Sequence, residues 1–558
     1  MYLEVEKRIL KDKGISYRVK ISESYKENGK SKKKTIRNVG TCKDEKEIEF
    51  LKRQGLKLIE IETEKRNGTL LFDATDSYAT CDVSRKNIDY KKLKEEKRIT
   101  EGVGEVYGQM FNDCGFSDIL KGEQSQILKE VVFARIKEPL SKRKTQEILE
   151  RDCNFKTSLD SIYRMVTALS KKVDKLIEKT FEQAKLLFQE KLDIVFFDVS
   201  TLHFESFIQD ELRDFGYSKD NKFKETQVVL ALAITREGLP LGYKLFPGNT
   251  GETKTLVACL DTWKNYIDIH RIVFVADRGM FNYINLSFLS KSGYEFIVAA
   301  KLRSLSKETK NQITHSDFFT KDACKIHNDS EKVREIQHQI IYKINETKEI
   351  HTIDGKLIIS HTLKRAKKDF NDREKLVNKI KKVIGKTKAD AKKLITNKGY
   401  TKFVDIKGNI LSEIREDKII EDQKWDGIHG LFTNADLSAE EILGKYRDLW
   451  QIEAAFRISK NDLSMRPIYH STKNRIEGHI AICFMALFLI QKTQFILKRN
   501  NIKLSPERIA FELERVQASI LYDKSNAIRF RMPSNMSNEA KMIYKCLGID
   551  RDLSIQKY

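Results

Sequence analysis

Two short apolar runs, each ending in an aspartate, constrain this chain more than any other feature. Asp193 to Phe197 (DIVFF) leads straight into Asp198, and Arg271 to Ala276 (RIVFVA) leads into Asp277. Runs of this length, rich in Val, Ile and Phe, read as buried strands. A carboxylate at the end of a buried strand is costly unless it is paired or binds a cation. Between the two runs, Val228–Ile234 and Leu239–Phe246 read as antiparallel strands about a Thr235–Gly238 turn. Glu252–Asp268 reads as a helix with Leu256, Leu260, Trp263 and Ile267 on one side, and EFIVAAK (Glu295–Lys301) adds a further strand. The β-β-β-α-β order lets the first and fourth strands lie side by side and parallel, which brings Asp198 and Asp277 together. Two such carboxylates repel each other, and their oxygens suit Mg²⁺.

A third acid comes from far along the chain. Tyr446–Lys460 (YRDLWQIEAAFRISK) lacks Gly and Pro, follows the acidic lead-in Ser438–Glu441, and predicts one helix. Leu449, Ile452 and Phe456 form its buried stripe, continued by Leu463. Tyr446, Glu453 and Lys460 recur every second turn and so share a side, with a carboxylate between a phenol and an ammonium group. On its own such a face is an ordinary solvated surface. With Asp198 and Asp277, Glu453 completes an all-oxygen donor set.

The flanks point to a polyanionic partner. The 558 residues exceed one ordinary core and carry a formal charge of +22, which favours a phosphate backbone through counterion release. Ile15–Val39 alternates about a Glu27–Lys30 turn and predicts a β-hairpin whose second strand bears Lys32, Lys33, Lys34 and Arg37. A short helix is expected at Asp44–Leu58 and a strand at Thr69–Phe72. Gly102–Lys191 has helical periodicity almost throughout, with basic runs that can lie on DNA. Lys301–His429 alternates short strands with a charged helix, Ala366–Val383, and reads as a separate β-rich insertion. Gly430–Asn434 resumes as a strand, Asn474–Ile496 is a strongly apolar helix, and Pro506–Tyr522 an amphipathic one before a polar tail.

Other classes are excluded by composition. The eight cysteines include no CxxC pair, which argues against a zinc finger or a disulfide framework. The charged first residues do not form a signal peptide, and the Ile480–Ile490 run of about eleven residues is too short to span a bilayer. A cytoplasmic protein without membrane contact is expected. His203 reads as a half-buried strand residue, Trp450 as a core residue, and Cys259 and Cys483 as buried thiols.

In sum the residues resemble the DDE transposases of bacterial insertion sequences, in the group with a β-rich insertion before the catalytic glutamate, insertion-sequence family four. The resemblance rests on FFDVSTLHFES with Asp198, GYSKDNK (Gly216–Lys222), FPGNTGETKTL (Phe246–Leu256), VADRGMFN with Asp277, GLFTN, and YRDLWQIEAAFRISKNDLSMRP. Tyr446, Glu453 and Lys460 fit that group's pattern, but its arginine position holds Leu449, with Arg447 and Arg457 nearby. The resemblance implies an α/β, ribonuclease-H-like mixed-sheet catalytic domain interrupted by the insertion. The expected segments are an N-terminal hairpin and helix (1–62), a helical DNA-binding region (63–190), the catalytic core in two parts (191–301 and 430–499), the insertion (302–429) and a C-terminal helical region (500–558). It further implies that Asp198, Asp277 and Glu453 hold two Mg²⁺ ions, replaceable by Mn²⁺, for cleavage at element ends and strand transfer. Tyr446, Lys460, Arg278, Arg447 and Arg457 would contact DNA. The expected partners are double-stranded transposon ends and target DNA, with a homodimer in the synaptic complex at the bacterial nucleoid. A ribonuclease-H-like nuclease and a catalytically inactive DNA-binding derivative are the alternatives.

Overall fold

The computed structural model describes residues 2–10, 14–27, 30–42, 48, 51–52, 55–56, 59, 93–188, 194–216, 225–251, 254–263, 273–277, 282–319, 325–327, 331–343, 350–394, 398–524 and 527–558. Two compact units divide the chain, residues 1–88 and 89–558. In the first, β1 (Tyr2–Leu10), β2 (Gly14–Glu27) and β3 (Lys30–Cys42) make an antiparallel sheet with β2 in the middle. The expected hairpin is β2–β3, in register from Tyr17 opposite Cys42 to Glu27 opposite Lys30. The sequence reading does not anticipate β1, because its charged residues obscure the alternation. Glu4 of β1 ion-pairs with Lys33, so the basic strand is partly neutralised within its own sheet. The strand expected at 69–72 and most of the helix expected at 44–58 lie outside the described residues.

The second unit opens with β4 (Leu93–Thr100) and five helices, α1 (Gly102–Asp113), α2 (Glu123–Lys137), α3 (Lys142–Asp152), α4 (Leu159–Ser170) and α5 (Val173–Phe188). Ser141 and Ser158 cap α3 and α4 through their hydroxyl oxygens, as serine favours at that position. Lys142, at the first position of α3, is 3% exposed, and its Nζ has no hydrogen-bond partner among the described residues. Burial, reinforced by the nearby Arg135 charge, pulls its pKa down to about 7. Lys142→Met removes that desolvated amine at similar volume and is expected to raise stability at neutral pH by a few kcal/mol. A lowered melting temperature would refute this.

The central layer is a nine-stranded mixed sheet. Its strands are β5 (Ile194–His203), β6 (Gln227–Thr235), β7 (Pro240–Pro247), β8 (Val273–Ala276), β9 (Glu295–Ala299), β10 (Lys325–His327), β11 (Glu331–Lys343), β12 (Ile350–Thr362) and, after β13 (Val404–Lys407) and β14 (Ile410–Ile414) of a separate hairpin, β15 (Ile428–Thr433). Their order is β10-β11-β12-β15-β9-β8-β5-β6-β7. As expected, β5 and β8 are adjacent and parallel, and β6 and β7 antiparallel. α6 (Thr255–Trp263) buries Leu256, Leu260 and Trp263, and α7 (Tyr283–Lys291) and α8 (Lys307–Ile313) flank β9 in sequence.

The stretch expected as a separate insertion does not stand apart from this sheet. β12 pairs with β15, from Lys356 opposite Thr433 to His361 opposite Ile428, so β10–β12 extend the sheet beyond β9 and β15. The charged helix α9 (Leu363–Lys381), α10 (Lys388–Leu394), the β13–β14 hairpin and α11 (Glu416–Gln423) follow, with a small core of their own around Ile380, Phe403 and Leu411. Arg373, 5% exposed, ties α9 to Asp426 through two hydrogen bonds of 2.5 and 2.6 Å.

Next come α12 (Ala439–Arg447) and α13 (Trp450–Arg457), described below, and α14 (Lys473–Arg499). By length and hydropathy α14 could cross a membrane, with mean hydropathy 1.9 in its most apolar window, yet 83% of that window is buried inside the protein. Gly478 permits this packing, since a Cβ there would lie 2.2 Å from the Val166 carbonyl oxygen of α4. The C-terminal residues depart from the expected helix and polar tail. α15 (Pro506–Glu514) ends early and β16 (Gln517–Asp523) replaces its second half, because QASILYD alternates to suit its neighbours β4 and β17 (Ile528–Pro533). α16 (Asn538–Leu547) and β18 (Gln556–Lys557) complete the chain, and the sheet order is β18-β17-β16-β4.

Candidate active site

Asp198 is not at the end of its strand, because β6 pairs with β5 all the way from Val195 to His203 and carries it past the expected stop. The parallel neighbour does stop. β8 ends at Ala276, and the register that sets Ile194 beside Val273 and Phe196 beside Val275, extended two residues past its last pair, brings Asp198 level with Asp277. Adjacent strands lie about 4.8 Å apart, so the two aspartates are neighbours where β8 gives out. Asp198 is the half-buried residue in a row of buried ones on β5. His203 closes that strand, half-buried as expected.

The stretch expected as one helix is broken. Leu449 N–H bonds to the Tyr446 carbonyl, Gln451 to Asp448 and Ile452 to Leu449, each three residues back and 3.0 to 3.2 Å long. That tight turn separates α12 from α13, and Arg236 from the β6–β7 turn fixes it through Asp448 at 2.8 Å. A π-helical turn, Ile458–Asp462, then follows α13, with Leu463 N–H reaching the Ile458 carbonyl at 2.8 Å. Tyr446, Glu453 and Lys460 therefore sit on three separate segments, two α-helical and one π-helical. Ile452, Phe456 and Leu463 are buried as the stripe predicts, and α13 packs on β5.

Asp277 and Glu453 nevertheless face one cavity of about 590 Å³, together with Tyr446, Arg447, Leu449 and Trp450. The Tyr446 phenol hydrogen-bonds to the Asp277 carboxylate. Burial first, then the Asp277 and Glu453 charges, hold its pKa far above the usual range, so the phenol stays protonated and donates. His429 lies against the same ring at 5.5 Å between centroids. Trp450 is 54% exposed on the cavity wall, which overturns its reading as a core residue. Arg447 ion-pairs with Glu331 at the cavity. Lys460 stands 5.8 Å over the Phe456 ring and does not line the cavity, while the charge of Arg457 acts on Asp462 and Glu507. Arg278 lies outside the described residues.

The carboxylate oxygens of Asp277 and Glu453 in this cavity are donors that hard divalent cations favour, with His429 on the same wall, and Asp198 lies level with Asp277 by extension of the β5–β8 register. Among the described residues no three carboxylate, imidazole or thiol groups are drawn together as a finished metal cage. Among the described residues no cysteine forms a disulfide, and Cys259 and Cys483 are buried as expected.

Acids delivered to one cavity by the mixed sheet and by a following helix suit metal-dependent phosphoryl transfer. The chain belongs to the family described as transposase DDE domain, which matches residues 189–489 and so takes in all three acids. Residues 4–65 match the IS1634 family transposase N-terminal domain. The protein is thus a DDE-type DNA transposase of a bacterial insertion sequence, and neither alternative reading is favoured. The matches do not specify insertion-sequence family four. Among solved structures, piggyBac transposase in a synaptic complex with hairpin DNA is 7% identical over 74% of this chain and 77% of that one, with a TM-score of 0.34. Mos1 transposase in a paired-end complex with the left transposon end is 13% identical over 32% and 59%, with a TM-score of 0.14. The Mos1 mariner paired-end complex with Mn is 13% identical over 28% and 54%, at the same TM-score. No curated protein matches the chain.

Proposed function

We propose that the protein cuts double-stranded DNA at the ends of its own element and joins the freed ends to target DNA, with Asp198, Asp277 and Glu453 as the catalytic acids. The observation that supports this reading is the parallel β5–β8 register, which extended by two residues brings Asp198 level with Asp277 within the matched DDE region. The three carboxylates would hold divalent cations, Mg²⁺ with Mn²⁺ as a substitute, which supply Lewis-acid charge to the scissile phosphate. The chain's own groups orient the reactants. The Tyr446 hydroxyl donates to Asp277 and fixes that carboxylate, and the exposed Trp450 ring offers a flat apolar wall to a base or sugar. In cleavage, a water oxygen bonds to phosphorus, the deoxyribose 3′-oxygen leaves with a proton, and a 5′-phosphate remains on the other strand end. In joining, that 3′-hydroxyl attacks a target phosphodiester, so one bond forms as one breaks. Within residues 302–429 the part with its own core, α9 to α11 with the β13–β14 hairpin, acts as the family's insertion, Arg447, Lys460, Arg457 and Arg278 as DNA contacts, and two protomers hold two ends near the nucleoid.

A duplex carrying the inverted repeat that flanks the reading frame, incubated with protein and Mg²⁺ or Mn²⁺, should be cut at the repeat boundary. Chelation of the metal should stop cutting, and transfer of the cut end into a plasmid should follow. Cutting that survives a chelator would remove the metal-dependent assignment.

A further inference from the structure

The cavity that holds Asp277 and Glu453 has a second wall the sequence did not connect with it. That wall is the first part of α9, whose Lys364, Arg365 and Lys368 line the same space. Asp277 and Glu453 are more than seventy positions away from α9 on either side. All three cationic side chains are exposed. Arg447, also in the cavity, is neutralised by Glu331, and Leu449 adds no charge. Among the described residues neither Lys364 nor Lys368 makes an ion pair, and Arg365 meets only Asp369, at a loose 3.8 Å. Asp369 is itself held by the Gly427 N–H at 3.0 Å. Arg365 is near enough to Tyr446 for its charge to act on the phenol that donates to Asp277.

Cations in the opening turns of a helix oppose its dipole, and α9 has no acidic residue in its first turn to relieve them. The helix accepts this because it is held elsewhere, by the buried Arg373–Asp426 pair. Lys364 and Lys368 lie about 6 Å apart along the axis, one turn, so that together with Arg365 they can meet roughly two successive phosphates of one strand. A cationic wall facing an acidic one across a cavity suits a phosphodiester whose far side is turned toward the carboxylates.

We infer that Lys364, Arg365 and Lys368 form a phosphate clamp that grips the DNA strand beside the bond to be cut, with Asp369 keeping Arg365 in place. The clamp rests on the transposase reading above and names three contacts within that site. Binding of the terminal-repeat duplex should be measured across a salt series, and cleavage alongside it. Each phosphate contact contributes about 0.9 to the slope of log affinity against log salt. The triple variant K364A/R365A/K368A is expected to lower that slope by about 2 to 3 and to cut cleavage at least tenfold. R365K keeps the charge and should keep the slope, and K367A, on the same helix but off the cavity, should bind and cleave like wild type. If the triple variant does not fold, K368A alone carries the test, with a slope lower by about 0.9. A wild-type slope and cleavage rate in the triple variant, or in K368A in its place, would overturn the clamp alone. Failure of the wild-type protein to bind the duplex would overturn the transposase reading and the clamp with it.

Discussion

Asp277→Asn is expected to lower cleavage of the terminal-repeat duplex by about a thousandfold while leaving its binding within about twofold. The substitution is isosteric and the side chain is exposed at the end of β8, so the fold has no reason to suffer. What goes is one negative oxygen at the cavity, and with it the acceptor of the Tyr446 hydroxyl in its ionised form. Asp198→Asn should do the same, although Asp198 does not line the cavity, because the β5–β8 register extended by two residues brings it level with Asp277. Glu453→Gln completes the series. Single-turnover cleavage within tenfold of wild type in any of the three would take that residue out of the catalytic set.

Arg551→Ala is expected to cost about 2 to 3 kcal/mol of stability, because it leaves half-buried carboxylates short of a partner rather than removing a whole pair. The Arg551 side chain is 1% exposed and gives hydrogen bonds to Glu101 at 2.6 Å and to the Gln517 carbonyl at 2.9 Å. Arg531 binds the same Glu101 at 2.5 and 2.7 Å, and Tyr544 donates to Glu105 at 2.5 Å. Burial pushes the Glu101 pKa up, but the two guanidinium groups outweigh it and leave the carboxyl below its ordinary range. A carboxyl whose folded pKa is depressed lends stability that is fully present above its unfolded value and is lost as pH falls through the folded one. Wild-type protein should therefore lose this contribution in acid below about pH 4.5, and Arg551→Ala should lose less over the same range. Thermal melting at neutral and acid pH measures both effects, and equal melting temperatures for the two proteins at pH 7 would contradict the argument.

The sheet was largely legible because its strands are apolar on both faces and stop at polar turns. The adjacency of β5 and β8, hence of Asp198 and Asp277, followed from strand order alone. Glu453 was placed on a helix correctly, but its phase against Tyr446 and Lys460 was not legible. The break at Asp448 is fixed by Arg236, more than two hundred positions away, and no local residue announces it. The exposure of Trp450 is hidden in the sequence for the same reason: on an unbroken helix it borders the buried stripe, and after the turn it lines the cavity. The cationic wall of α9 was visible only as a charged helix, because what it faces is decided by β12 joining β15. β16 reads as helix in the sequence because a short alternating strand within an amphipathic run has too few residues to separate the two periods.

The pairing of β4 with β16 joins the beginning of the larger unit to its last residues, and Asn154 donates a hydrogen bond to the hydroxyl of Tyr558 itself. Glu101 and the two arginines that neutralise it stand 430 and 450 positions apart. As the chain is synthesised, β4 and Glu101 therefore emerge long before β16, Arg531 and Arg551, and this corner of the unit closes late.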